Sequence, residues 1–306
     1  LDEIGQLILD NLKELAAAMA WGKCLSKMTE PERRSLIAWQ QAVKKIGKGT
    51  GKYAAQHRRE AQSHMDNCRT AIPAWIMPLY RVAETINPKP GFFDVVIIDE
   101  ASQSGQEALF LNYIGKQLVV VGDDKQISPN PVGVPLDAVN SLQRQYLRDI
   151  PLPDTFGLES SFFDQARIRY ERVIRLREHF RCVPAIIEYS KREFYNHELR
   201  PLRIPRTSER IDPPLVDVLI EDGVRSNGDI NRPEAEFIVH EIHELVRDEK
   251  MAKRSIGVVA LLADKQAMYI WERLTDTLGP ELMRRHHIAC GDARTFQGKE
   301  RDVMFL

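Results

Sequence analysis

Asp94-Val95-Val96-Ile97-Ile98-Asp99-Glu100-Ala101-Ser102-Gln103 is the stretch on which the fold turns. Its β-branched apolar run, unbroken by polar residues, is the mark of a strand covered on both faces, as in parallel sheets. Leu118-Val119-Val120-Val121 is a second such run, Ile256-Gly257-Val258-Val259-Ala260 a third, and a fourth opens at Val303. Helical patterns lie among them, for example 233–246 and 264–278. Strands alternating with helices predict an α/β fold with parallel sheets.

Upstream the pattern differs. Ile4, Leu7, Ile8, Leu12, Leu15 and Met19 recur at helical spacing, and the spacing predicts helices over most of residues 1–68. One of these runs from Pro31 to Ile46, with Thr29 as its cap and Pro31 in its first turn. A basic, glycine-punctuated break comes next, from Lys44 to Lys52, and then a polar helix over 54–67. The expected boundary between two globular regions lies around residues 165–175.

With 306 residues, 43% apolar and 28% charged, the chain has material for about two domains with their own cores. No stretch approaches the ~20 apolar residues needed to cross a bilayer, so no membrane is expected. Cys24, Cys68, Cys182 and Cys290 are scattered and form no Cys-x-x-Cys pair. No disulfide framework or structural zinc is expected, and a reducing, cytoplasmic setting is the expectation. The eight histidines show no metal spacing, and His286-His287 reads as surface. A net charge of −1 excludes a histone-like polycation but not local basic patches. Residues 167–206 hold eleven Lys/Arg against five Asp/Glu, and 44–59 is basic as well.

The chemistry gathers at strand ends. An apolar strand that delivers two acids to its carboxyl end suits a P-loop nucleotide hydrolase. Asp99 then holds Mg²⁺ through its water shell, and Glu100 polarises the attacking water. The same letters also fit a strand running into an acidic helix cap. About twenty residues later comes Val119-Val120-Val121-Gly122-Asp123-Asp124-Lys125-Gln126-Ile127-Ser128-Pro129. Gly122 allows a sharp turn off the strand. Gln126 both donates and accepts, as a sensor of a γ-phosphate and its water must.

Taken together, these two stretches resemble motifs II and III of superfamily 1 helicases, in the 5′-to-3′ branch that includes RNA-surveillance and replication helicase-nuclease enzymes. Leu176-Arg177-Glu178-His179-Phe180-Arg181-Cys182-Val183-Pro184 is similar to motif IV, which assigns a γ-phosphate contact to Arg181. Thr295-Phe296-Gln297-Gly298-Lys299-Glu300-Arg301-Asp302 is similar to motif V. There Gly298 brings backbone close to the phosphates and Glu300 helps hold the nucleotide.

The resemblance implies two RecA-like domains, ATP with Mg²⁺ in the cleft joining them, and single-stranded DNA or RNA as track. Residues 69–168 are then the first domain with motifs II and III, and 169–306 the second with motifs IV and V. Residues 1–68 are then a helical insertion of the first domain. Thr295 and Trp75 are the candidates for contact with nucleic acid, although Trp75 also suits a packed core. A P-loop ATPase that remodels protein, or an inactive helicase-derived scaffold, are the competing functions.

One part is missing. The Walker A pattern G-x-x-x-x-G-K-[ST] has a single approximation here, Gly47-Lys48-Gly49-Thr50-Gly51-Lys52-Tyr53. In that register Ile46 replaces the first glycine and Tyr53 the hydroxyl residue, and a helix is predicted where a P-loop has a strand. This is read as a decoy. The chain starts at Leu1 and stops within an apolar run, so it is expected to be a piece of a longer polypeptide. Walker A would lie upstream and motif VI downstream.

Overall fold

The computed structural model describes residues 2–126, 133–170, 172–205, 207–226, 229–261 and 264–306. The chain falls into two compact units, Leu1–Val173 and Ile174–Leu306.

The first unit opens with three helices, α1 (Asp2–Lys27), α2 (Glu30–Ile46) and α3 (Ala54–Cys68). Thr29 and Glu32 cap α2 reciprocally: the Thr29 N–H donates to the Glu32 carboxylate at 2.8 Å, while the Glu32 N–H reaches back to the Thr29 hydroxyl. Pro31 stands in the first turn, where no N–H is needed. α2 and α3 form a hairpin sealed by Ala42, Ile46 and Ala61. The apolar stripe of α1 behaves otherwise, for Ile4, Leu7, Ile8, Leu12, Leu15 and Met19 are all exposed.

After α4 (Leu79–Thr85) comes β1 (Phe93–Ile98), then α5 (Leu111–Ile114), β2 (Gly115–Val120), α6 (Leu136–Tyr146) and α7 (Phe162–Arg169). β1 and β2 pair in parallel, Phe93 opposite Gly115 and Ile98 opposite Val120. The unit's core gathers Met65, Cys68, Ile86, Phe92, Ile98, Leu111, Ile114 and Phe162 under one face of this pair. The expectation of two covered faces fails here. Val95, Ile97, Val119 and Val121 are exposed, and Ile97 keeps 68% of its surface open. No described helix packs over that side.

The second unit begins with β3 (Glu178–His179), α8 (Pro184–Glu193) and β4 (Arg200–Pro201), the two short strands pairing in parallel. An antiparallel pair, β5 (Arg225–Ser226) with β6 (Ile230–Asn231), leads into α9 (Arg232–Leu245). Next along the chain are β7 (Ile256–Val259), α10 (Asp264–Arg285), β8 (Ala289–Gly291) and β9 (Val303–Phe305). The order is β8-β7-β9, all parallel, with every residue of β7 buried. Ile238, Val239 and Ile242 of α9 and Ile270 and Leu274 of α10 pack with Ile256 and Val258.

α10 breaks at Gly279, whose φ of 72° only glycine adopts cheaply, and Pro280 restarts it. His286, expected at the surface, is wholly buried, with Nδ1 2.9 Å from the Arg254 carbonyl. His287 beside it is exposed. Among the described residues no helix is long and apolar enough to cross a membrane.

Candidate functional site

In the first unit the site grows from the carboxyl ends of β1 and β2. Asp99 and Glu100 leave β1 in a tight turn. Glu100 sits at φ 52°, ψ 39°, a left-handed conformation that costs a non-glycine residue about 1 kcal/mol or more. The turn is held by local bonds. Asp99 Oδ1 accepts the Glu100 N–H at 3.0 Å, and Gln103 Nε2 donates to Glu100 Oε2 at 2.9 Å. Asp99 is exposed at the strand end. One such carboxylate, with an oxygen left for solvent, is the donor that a metal held through water requires, so Asp99 fits Mg²⁺ of that kind.

Backbone bonds tie the second loop to the first. The Val121 N–H donates to the Ile98 carbonyl at 2.8 Å, and the Ala101 N–H donates to the Val121 carbonyl at 2.8 Å. The buried Ser102 hydroxyl accepts the Asp123 N–H at 3.3 Å. Gly122 lies at this junction for want of space rather than for a special φ. A Cβ there would sit 2.7 Å from the Phe163 ring and 3.1 Å from the Ser102 nitrogen. The expected sharp turn is thus replaced by a close approach.

Asp123 organises the turn that carries Gln126. Its carboxylate accepts the Lys125 N–H at 2.9 Å and the Gln126 Nε2 at 3.3 Å. Arg167 on α7 pairs with Asp124 at 2.7 Å. Gln126 is therefore exposed but leashed, in the loop that leaves β2, the strand paired with the one that carries the two acids. Ile127, Ser128 and Pro129 of this motif lie outside the described residues.

In the second unit Arg181 stands after β3, ahead of α8. Its Nε donates to Glu300 Oε1 at 2.8 Å, which joins two of the expected nucleotide contacts across 119 positions of sequence. Both side chains are exposed. Arg203 supports the turn by donating to the Arg181 carbonyl at 2.8 Å, a role that no local spacing announces. Beside it, His179 Nε2 accepts the Cys182 N–H at 3.1 Å and lies 3.0 Å from Cys182 Sγ. Burial, then the Arg181 charge, pushes the His179 pKa down, and burial pushes the Cys182 thiol up.

Gly298 occupies φ 71° in the turn before Glu300, where a side chain would be strained. Gln297 Nε2 is buried without a hydrogen-bond partner among the described residues. Thr295 is held by Asp292, whose Oδ1 accepts both the Thr295 N–H and its hydroxyl at 2.7 Å. Those bonds hold the Asp292 carboxyl below its ordinary range. Thr295 lines a groove of about 230 Å³ with Met268, Trp271, Asp264, Glu272 and Asp292 among its walls. Three carboxylates and no cation in that lining make it a poor neighbour for phosphates.

Trp75 is half-buried in the first unit. Its indole N–H donates to the Arg69 carbonyl at 3.1 Å, and Trp39 stands against its ring edge to face at a centroid distance of 5.0 Å. This is a packing geometry. Nearby Tyr80 is exposed and carries the Arg81 guanidinium over its ring.

Among known proteins, the AAA domain family matches residues 158–306. The 5′-3′ DNA helicase ZGRF1 of Mus musculus is 28% identical over 229 residues, which covers 70% of this chain and 11% of that protein. The uncharacterized ATP-dependent helicase MG140 of Mycoplasma genitalium is 23% identical over 262 residues, covering 80% of this chain and 22% of that protein. The chain thus spans about a tenth and about a fifth of the length of these two relatives.

Proposed function

We propose that this chain, a superfamily 1 helicase-like P-loop NTPase sequence, supplies the motif II to motif V machinery of an ATP-dependent helicase acting on a single nucleic-acid strand, its two units serving as RecA-like lobes. What carries this reading is the junction of the two loops in the first unit. Ala101–Val121 and Ser102–Asp123 bonds hold the acids and the glutamine on neighbouring parallel strand ends, the arrangement that couples a water-activating carboxylate to a phosphate sensor.

In this reading Glu100 takes the proton of the water that attacks the γ-phosphorus, while the bond to the ADP oxygen breaks. Gln126 orients that water and registers the γ-phosphate. Asp99 would hold Mg²⁺ through its water shell, and the ion would supply neutralisation of phosphate charge. Arg181 stabilises the transferring phosphoryl group through its fork of donors. Its pairing with Glu300 does not oppose this. An exposed ion pair is worth at most about 1 kcal/mol, so the guanidinium exchanges a carboxylate for phosphate oxygens readily. Gly298 and Glu300 act on the nucleotide, Gly298 by presenting uncovered backbone. Trp75 contributes to the first unit's packing, and Thr295 to the turn that carries Gly298.

The competing reading, an ATPase that remodels protein, makes no demand on a nucleic-acid backbone. Filter binding of the 306-residue chain to a single-stranded oligonucleotide over a salt series separates the two. The expected log–log slope is clearly negative, roughly −0.7 for each phosphate contacted. A slope near zero, or no binding at low salt, overturns the nucleic-acid reading.

A further inference from the structure

The glycine-rich stretch that imitates a Walker A loop has its own geometry. α2 leads into it and α3 leaves it, so it forms the tip of a helical hairpin and not a strand-to-helix loop. From 44 to 59 the sequence holds Lys44, Lys45, Lys48, Lys52, Arg58 and Arg59 and no Asp or Glu. All but Arg58 are exposed, and none of those five has a carboxylate partner in ion-pair contact among the described residues. Arg58 turns inward, where Nη2 donates to the Gly49 carbonyl at 3.0 Å and to Glu84 Oε1 at 3.1 Å. That contact pins the turn. Glu84 is also bound by Arg81 at 2.9 Å, and Glu60 is occupied by His57 and Gln56.

Two further features are independent of the charge. The amino end of α3, fifteen residues long, has no side-chain cap, for its N-cap is Tyr53. The first amide, that of Ala54, donates to the Gly51 carbonyl at 2.9 Å, and the amides that follow it have no side-chain cap, the arrangement that attracts an anion. Gly47 and Gly49 take φ of 56° and 78°, and nothing lies within 4 Å of the place a Cβ would take on Gly47 or Gly51. The backbone is thus uncovered at Gly47 and Gly51, while at Gly49 the Arg58 and Glu84 side chains close over it, 2.7 Å and 3.2 Å from the place of a Cβ. Tyr53 is 58% exposed, with Lys52 Nζ 5.5 Å from its ring centre.

We propose that this hairpin tip is a docking site for a single-stranded nucleic acid. The uncapped α3 end and Lys44, Lys45, Lys48, Lys52 and Arg59 take backbone phosphates, and Tyr53 stacks on an unpaired base. The proposal rests on the nucleic-acid reading given above and adds to it a surface outside the four motifs. Charge complementarity selects a polyanion. The exposed aromatic ring, standing alone among lysines and glycines, favours a strand with unstacked bases over an acidic lipid surface, which would call for a wider apolar face.

Fluorescence anisotropy of a labelled single-stranded oligonucleotide with the full 306-residue chain is the test, over a salt series. The variant Lys44→Glu/Lys45→Glu/Lys48→Glu/Lys52→Glu is expected to lose roughly 30-fold or more in affinity near 0.1 M salt, and its log–log slope to be shallower by about 2 to 3. Tyr53→Ala is expected to lose about 5-fold or more, with the slope unchanged. Circular dichroism checks that the variants fold. Should the glutamate set fail to fold, the corresponding Lys→Gln set is expected to move affinity and slope the same way. If the parent chain binds with a steep slope and the folded lysine variants bind alike with the same slope, the tip proposal is overturned and the helicase reading stands. If the parent chain binds no strand at all, the helicase reading falls and the tip proposal with it. Phosphatidylserine vesicles form the second arm; loss of vesicle binding in the variants with strand binding unchanged also overturns it.

Discussion

Strands β1 and β7, each in a parallel sheet of its own unit, are built from the same kind of residue and end in different surroundings. In β7 every side chain is buried, whereas in β1 Val95 and Ile97 face outward beside Val119 and Val121. An unbroken β-branched run states that a strand tolerates cover on both faces. Whether it receives that cover depends on amphipathic helices nearby in the chain. β7 is preceded by α9 and followed by α10, which lay Ile238, Val239 and Ile242 and Ile270 and Leu274 on it. β1 is flanked by short helices and turns, which supply a core on one side.

The sharpest way to break this contrast is to truncate a residue at each sheet and compare. Ile256→Ala, at the centre of the second unit's core, is expected to cost about 2–5 kcal/mol in urea unfolding monitored by tryptophan fluorescence. A cost below about 1 kcal/mol would remove the distinction. Next comes Gly122→Ala. Its new methyl group meets the Phe163 ring at 2.7 Å, closer than Cβ atoms come, and crowds the Ser102 backbone nitrogen at 3.1 Å, so a loss of about 1–3 kcal/mol is expected in the same experiment. A neutral result would mean that the two strand-end loops are not packed as described. The smallest effect belongs to Ile97→Thr. On the open face, and with β-propensity retained, it is expected to change stability by no more than about 0.5 kcal/mol. A cost as large as that of Ile256→Ala would show that something covers that face in solution.

How much was legible in the sequence depends on the range of the interactions. Thr29 and Pro31 announced the start of α2, because caps act within a few residues, and the helical pattern over 264–278 stopped where α10 breaks at Gly279. Strand β7 was legible from its short unbroken apolar run and helix α9 from its helical periodicity. Strand β8, the short Ala289–Gly291, has too few large side chains to carry a pattern. The burial of His286 was hidden, since its polar neighbours in sequence say nothing of the Arg254 carbonyl that receives it. The α1 stripe shows the opposite error, a clean helical pattern with nothing described against it.

The candidate site divides the same way. DEASQ and GDDKQ were readable as strand-end chemistry, but the Ser102–Asp123 bond and the space Gly122 leaves for Phe163 are tertiary facts. So is the meeting of Arg181 with Glu300. The tip of the α2–α3 hairpin was readable as basic and glycine-rich, while the uncapped helix end and the inward turn of Arg58 were not.

On the reading proposed above, these 306 residues carry the acids, the sensor and the arginine of an ATP-driven motor without a loop that cradles the triphosphate. Steady-state phosphate release with Mg-ATP and saturating single-stranded DNA or RNA puts that to the test directly. The expected result is release at the background rate, identical in the parent chain and in Glu100→Gln. Robust turnover that Glu100→Gln abolishes would contradict it, because the chain would then hold a phosphate cradle of its own.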